Sequence, residues 1–200
     1  MLLLIWQVSF ALRYKSFALL PSEKLPTLTV VIPAYNEGSQ VLDTVRSIMA
    51  SNYPKDRLQV ICVDDGSKDD TWLWINAAYN EFEGGITIIK QPYNQGKRAA
   101  LMAGFDKATG DVIVTIDSDS EVLPDTLANM ASPFVADQRI GSVAGHVRVL
   151  NLKSGIIPKF LKYPSPVLLI LFAPDKAYMA GYSVHRGTFR LPDIRTYAFA

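Results

Sequence analysis

Cysteine is almost missing from this chain of 200 residues: Cys62 is the only one. No internal disulfide can form, and Cys62 sits in the apolar run Leu58-Gln-Val-Ile-Cys-Val63. A small buried hydrophobe is its expected role and a reducing compartment the expected setting. An excess of charge is missing too. Lysine and arginine total 20 against 19 acidic residues, so no net field draws the chain to a nucleic-acid backbone or an anionic membrane. The expected partner is a small molecule and not a nucleic acid. The apolar stretch Met1 to Leu12 falls short of the roughly 20 residues that span a bilayer. Arg13 and Lys15 follow it, whereas a signal peptide begins with its basic residues. It reads either as the cytoplasmic end of a membrane helix or as an ordinary terminus. No GxGxxG, Walker A or GxSxG pattern occurs, so dehydrogenases, P-loop NTPases and α/β-hydrolases lack their phosphate loop or nucleophile elbow. His146 and His185 have no ligand spacing and are read as incidental.

What is present is an alternation. Short β-rich apolar runs cover Leu28 to Ile32, Leu58 to Val63, Ile86 to Lys90, Val112 to Ile116 and Ile140 to Val147. Between them, helix-period stretches cover Ser39 to Ala50, Asp70 to Phe82, Lys97 to Ala108 and Pro124 to Phe134. This order predicts an α/β domain with a mostly parallel sheet flanked by helices. Ser39 and Asp70 are placed to cap helix N-termini, Pro124 fits a first helical turn, and Gly84-Gly85 and Gly110 release the chain into the next strand. One of Trp72 and Trp74, at least, belongs to the core. After about Gly155 the pattern decays into Pro158, Pro164, Pro166 and Pro174 around one apolar run, Val167 to Ala173. The expected organisation is an apolar segment over 1–26, a ligand-binding domain over 27–155 and an irregular tail over 156–200.

Open α/β sheets bind ligands beyond the carboxyl ends of their strands, and polar clusters follow these runs. Pro33-Ala-Tyr-Asn-Glu37 offers a ring, an amide and a carboxylate against which a base can stack or hydrogen-bond; the bland alternative is a plain turn. Asp64-Asp-Gly-Ser-Lys-Asp-Asp70 holds four acids in seven residues, more than one helix cap requires, and one of them can accept from a base imide or a ribose hydroxyl. Asn94-Gln-Gly-Lys-Arg98 opens a helix, where free N–H groups and two cations suit a diphosphate. A solvated basic turn is the competing reading. Asp117-Ser-Asp-Ser-Glu121 is the most specific cluster: two carboxylates one residue apart at a strand end suit a hard divalent ion shared with substrate phosphates. Asp111, before that strand, adds to the acids. An EF-hand fails there, because the sixth loop position is Val122 instead of Gly and Asp117 follows a strand. A haloacid-dehalogenase-like phosphatase, with Asp117 as nucleophile, is the rival enzyme, and a merely solvated loop the remaining reading.

Taken in order, Val30-Val-Ile-Pro-Ala-Tyr-Asn-Glu37, Val63-Asp-Asp-Gly-Ser67, Asn94-Gln-Gly-Lys-Arg98 and Asp117-Ser-Asp119 resemble the donor-binding motifs of family 2 glycosyltransferases with the GT-A fold. Gly96-Lys-Arg-Ala-Ala-Leu101, Asp117-Ser-Asp-Ser120 and Gly145-His-Val-Arg-Val-Leu-Asn151 are most similar to the hyaluronan synthase, chitin synthase and nodulation N-acetylglucosaminyltransferase group. The resemblance runs from about Thr27 to Lys159. It implies a substrate site made of Pro33, Tyr35, Asn36, Glu37, Asp65, Gly96, Lys97, Arg98, Asp117 and Ser118. Asp117 and Asp119 would hold Mn²⁺ or Mg²⁺. It also implies a UDP-sugar donor, N-acetylglucosamine or a related sugar, transferred with inversion to a saccharide acceptor by an aspartate general base. Full-length members act at the cytoplasmic face of the cell membrane; a cytoplasmic location is expected for this chain. The Glu-Asp pair that would carry the base, and the Gln-x-x-Arg-Trp motif, are absent. The expectation is therefore a truncated or frame-shifted product, with an inactive donor-binding fragment as the alternative to an active enzyme.

Overall fold

The structure is a computed structural model and describes residues 18–143, 145 and 171–172. Strands β1 (Leu28–Ala34), β2 (Leu58–Asp64), β3 (Thr87–Lys90) and β4 (Val112–Thr115) alternate with helices α1 (Gln40–Met49), α2 (Thr71–Glu81) and α3 (Lys97–Phe105), and α4 (Thr126–Ala136) follows β4. The α/β alternation read from the sequence is present in the same order. A two-residue β5 (Leu171–Phe172) completes a sheet of order β3-β2-β1-β4-β5. The first four strands are parallel, and β5 runs antiparallel to β4.

β1 is the axis of the domain. All seven of its residues are buried, as a continuous apolar run flanked by two strands and covered on both faces requires. Leu28, Val30 and Ile32 join the larger core with Val41, Val45 and Ile48 of α1, Ile75 of α2 and Leu127 of α4. The 41, 45, 48 spacing puts those α1 side chains on one face. Val31 points the other way, to Ile61, Val63 and Ala100 under α3. Cys62 is fully buried, and that burial pushes its thiol up to about 12, so it packs as the small hydrophobe expected. Trp72 and Trp74 are half-buried against the same core.

Three local expectations differ from the outcome. Ser39 and Asp70 occupy the N-cap positions of α1 and α2, but neither side chain caps; Asp69 Oδ1 instead accepts the Thr71 N–H at 3.0 Å. Pro124 precedes α4 by two positions and its carbonyl accepts the Asn52 N–H at 2.9 Å. The run from Ile140 is not a strand over 140–143; a turn precedes it, with the Asp137 carboxylate accepting the Arg139 N–H at 2.9 Å. Residues 144 and 146–147 of that run lie outside the described residues, as do 1–17, His146 and His185. β5 falls in the tail, where no element was expected.

Gly104 sets the distance between α3 and β1, because a Cβ there would lie 2.3 Å from Val31 Cγ1. Gly104→Ala should lower stability by about 1–2 kcal/mol, the overpacking cost less the helix-propensity gain of alanine. Urea unfolding should show the sign reverse in a Val31→Ala background, where the space exists; a loss of equal size in both backgrounds would refute this packing.

Candidate functional site

The strand order contains one change of direction: the chain winds from β1 to β2 and β3 on one side, then returns to place β4 on the other. Ligands in open α/β sheets bind where the winding reverses, beyond the carboxyl ends of the strands. That point lies between β1 and β4. The β1–β4 ladder ends at Val31 paired with Thr115, whereas β1 stays paired with β2 as far as Ala34 with Asp64. Val31 directs its carbonyl toward β4, accepting the Ile116 N–H at 3.1 Å. Pro33, two residues on, faces the same side and has no N–H to offer. The strands part there, and a cleft of about 310 Å³ opens, lined by Pro33 and Ala34 on one side and Asp117, Ser118 and Asp119 on the other.

The four acids between Asp64 and Asp70, at and beyond the end of β2, have four separate roles. Asp64 is fully buried and accepts the Ser67 N–H through Oδ1. Asp69 accepts the Thr71 hydroxyl at 2.6 Å, and this bond holds its carboxyl below the usual range. Asp70 accepts the Trp74 indole N–H at 2.9 Å. Asp65 alone of the four lines the cleft. It is 2% exposed and its Oδ1 accepts the Gln95 N–H at 2.8 Å. The two loops it joins are in backbone contact at Gly66, whose φ is +68° and where a Cβ would lie 2.3 Å from the Tyr93 carbonyl carbon.

The turn after β1 is bolted to the loop after β2. Asn36, at φ 55°, donates its N–H to Ser67 Oγ and accepts the Lys68 N–H on Oδ1. Asparagine tolerates this left-handed conformation better than most residues. The buried Thr71 hydroxyl accepts the N–H groups of both Glu37 and Gly38 at 2.9 Å while donating to Asp69. Tyr35 and Glu37 are thereby held at the cleft, with the Tyr35 side chain 38% exposed.

Across the cleft, α1 fixes the acidic turn after β4. The Thr44 hydroxyl donates to the Ser118 carbonyl at 2.8 Å, and Ser47 Oγ accepts the Val122 N–H at 3.1 Å. Lys97, the first residue of α3, sets its ammonium 2.6 Å from Asp117 Oδ1. Burial, then the negative charges of Asp119, Asp117 and Asp69, raise the Glu37 carboxyl above its ordinary value, with Lys97 opposing.

Of the residues singled out in the sequence, Pro33, Tyr35, Glu37, Asp65, Gly96, Lys97, Asp117, Ser118 and Asp119 meet in this cleft. Asn36 and Arg98 are exposed and do not line it; Asn36 spends its polar groups on the neighbouring loop. Asp111 lies at the opposite end of β4, accepting the Thr27 hydroxyl at 2.6 Å, and takes no part. Thr71, Thr44 and Ser47 went unnoticed in the sequence, where the signal was a hydroxyl at an inward helical position. Among the described residues no group of three or more His, Cys, Asp or Glu side chains is assembled to hold a metal. Asp117 and Asp119 alone supply too few ligands for a free-standing centre. They fit a cation that shares its coordination with phosphate oxygens, as Mg²⁺ commonly does.

Two outcomes follow from this geometry. Thr71→Val should lose about 1–3 kcal/mol by leaving two N–H groups without their acceptor, and Thr71→Ser should recover most of it in the same denaturation experiment; equal losses in both would remove the hydroxyl from the account. Because the raised Glu37 value means that the folded state disfavours its ionised form, the penalty exists when the carboxylate is charged and fades as pH falls through the carboxylate range. Glu37→Gln should therefore raise the melting temperature of the ligand-free chain at pH 7, with the gain shrinking toward pH 4; a gain that grows on acidification would contradict the assignment.

Comparison with known proteins agrees with the geometry. The model of "Glycosyl transferase family 2" matches residues 29–168. The chain is 32% identical over 141 residues to the probable glycosyltransferase YdaM of Bacillus subtilis, covering 70% of this chain and 34% of that protein. It is 32% identical over 131 residues to an N-acetylglucosaminyltransferase of Mesorhizobium japonicum, covering 64% and 30%. Among solved structures it resembles the mannosyltransferase PcManGT from Pyrobaculum calidifontis, in complex with GDP-Man and Mn²⁺, at a TM-score of 0.67 and 25% identity over 87% of this chain and 52% of that one. The match thus spans about a third of these curated relatives and half of the solved structure. The motifs, the cleft at the β1–β4 switch point and the matched family model have one common conclusion: the chain belongs to glycosyl transferase family 2.

Proposed function

We propose that the cleft binds a UDP-sugar together with a divalent cation, and that the protein transfers the sugar, N-acetylglucosamine or a close relative, with inversion to a saccharide acceptor at the cytoplasmic face of the membrane. The observation that carries this reading is the convergence of Tyr35, Asp65, Lys97, Asp117 and Asp119 on one cleft. No helix among the described residues is long and apolar enough to cross a membrane, so the membrane location rests on the family resemblance.

Tyr35 offers an exposed ring for a base to stack on. Asp65, with one oxygen held by the Gln95 N–H, has its other oxygen for the imide N–H of uracil; cytosine presents an acceptor at that position and would leave the buried carboxylate unpaired. Lys97 and the first turn of α3 face the diphosphate, where a cation and a helix N-terminus both favour negative charge. Asp117 and Asp119 are the residues that would hold Mn²⁺ or Mg²⁺. When bound, such an ion neutralises charge on the departing diphosphate. The sequence holds no Glu-Asp pair of the kind the resemblance assigns to the general base, and no cleft residue is given that role. The relative named as an N-acetylglucosaminyltransferase supports the choice of sugar.

Calorimetric titration of the 200-residue chain with UDP, GDP and CDP, each with and without Mn²⁺, tests the proposal. UDP should bind in a manner that requires the metal, weaken at least about tenfold in Asp119→Ala and exceed CDP by about the same factor. Binding indifferent to Mn²⁺ and to Asp119, from a chain shown to be folded, would reject the donor site; GDP stronger than UDP would retain the site and change the donor.

A further inference from the structure

Three carboxylates and one ammonium share the mouth of the cleft. Glu37 lies within reach of the charges of Asp119, Asp117 and Asp69 as well as of Lys97, so the carboxylates outnumber the one ammonium. The ammonium is not distributed over the cluster. It sits on a single acceptor, Asp117 Oδ1, at 2.6 Å. Among the described residues Asp119 has no cation of its own, and its carboxylate meets the Ser120 hydroxyl alone, at 3.5 Å. The Asp117 carboxylate is one that the proposed function requires for the metal.

An ammonium and a divalent cation on one carboxylate repel each other at short range, so each weakens the other's hold on Asp117. We propose that Lys97 is the counter-ion of Asp117 in the donor-free protein, and that arrival of a nucleoside diphosphate draws Lys97 onto the phosphates and releases Asp117 to the metal. This inference rests on reading the cleft as the donor site and adds to it the order in which its charges are exchanged. The side chains are suited to such an exchange. Lys97 and Asp117 are 61% and 42% exposed, so their ion pair is weak and readily broken. The backbone of Lys97 is fixed as the first residue of α3, while its four-carbon stem lets the point charge swing between two anions. Leaving Asp117 costs the ammonium little when a phosphate takes its place.

Nucleotide and metal must then strengthen one another by the same factor, because coupling between two ligands is reciprocal. Lys97 lowers metal affinity when the nucleotide is absent and ceases to do so when it is present. This keeps the cleft from holding metal without donor.

The test is Mn²⁺ binding to the 200-residue chain, read from the electron paramagnetic resonance of the free ion, with and without UDP, in the wild type, Lys97→Met and Lys97→Arg. Lys97→Met should bind Mn²⁺ alone about fivefold tighter than the wild type, and the gain that UDP confers should shrink by about the same factor, the remainder being owed to phosphate oxygens that ligate the metal directly; Lys97→Arg should behave like the wild type. An unchanged or weaker Mn²⁺ affinity in Lys97→Met, with UDP still tightening Mn²⁺ in the wild type, would overturn the exchange and leave the donor site standing. A folded wild type in which UDP neither binds nor alters Mn²⁺ affinity would overturn both. Should Lys97→Met not fold, Asp117→Asn gives an independent reading in metal-free buffer. Freed from its partner, Lys97 should make UDP alone bind about threefold tighter, and no change there would contradict the proposal.

Discussion

Everything at the cleft depends on how β1 is paired. As the strand at which the winding reverses, it has β2 on one side and β4 on the other, and the two ladders end at different places. On the β2 side pairing continues to Ala34, and the Asp65 N–H extends it by bonding to the Ala34 carbonyl at 2.9 Å. Toward β4 it stops two residues before Pro33, which cannot donate. One ladder therefore carries Asp65 up beside Tyr35 while the other releases Asp117 to Asp119 across a gap. The burial of all seven β1 residues makes a slip in register costly, since one step would turn each side chain to the opposite face.

A cleft between loops would be imprecise without bracing, and the bracing here is made of buried or half-buried hydrogen bonds. Thr71 fastens the turn after β1, Asp65 the loop before α3, and Thr44 the acidic turn after β4. Each brace comes from a different element than the loop it holds. The cleft is thus assembled by α1, α2 and the β2–α2 loop together, and its acids are kept close despite their repulsion, which adds to burial in raising the carboxyl of Glu37. Lys97 is the counterweight at the mouth, with its ammonium 2.6 Å from Asp117 Oδ1, and its removal from Asp117 is the charge exchange proposed for the arrival of a nucleoside diphosphate.

Much of this was legible in the sequence because it rests on short-range signals. Strand and helix periods located eight elements in the right order, and the rule that ligands gather beyond strand ends pointed to the polar clusters that follow β1, β2 and β4. What was not legible depends on partners distant in the chain. Four acids between Asp64 and Asp70 look alike in sequence; only folding distinguishes Asp65, which reaches the cleft, from Asp64, Asp69 and Asp70, which brace loops or helices. Asn36 looked like a ligand-binding amide, yet its side chain is consumed by the Lys68 N–H. Asp111 carries the same charge as Asp117 but precedes the strand that Asp117 follows. β5 was hidden because two residues give no period, and its place beside β4 is set by a pairing with Ile113 and Val114 nearly sixty positions earlier.

The central claim is that the β1–β4 gap is a nucleotide-diphosphate site completed by a metal. A crystal structure of the chain grown with UDP and Mn²⁺, with anomalous data collected at the manganese edge, tests it most directly. The account predicts one strong anomalous peak shared by Asp117 or Asp119 and the diphosphate, with the uracil against Tyr35 and Asp65 and the Lys97 ammonium moved off Asp117. A nucleotide bound elsewhere on the domain, or manganese held away from both aspartates, would contradict it.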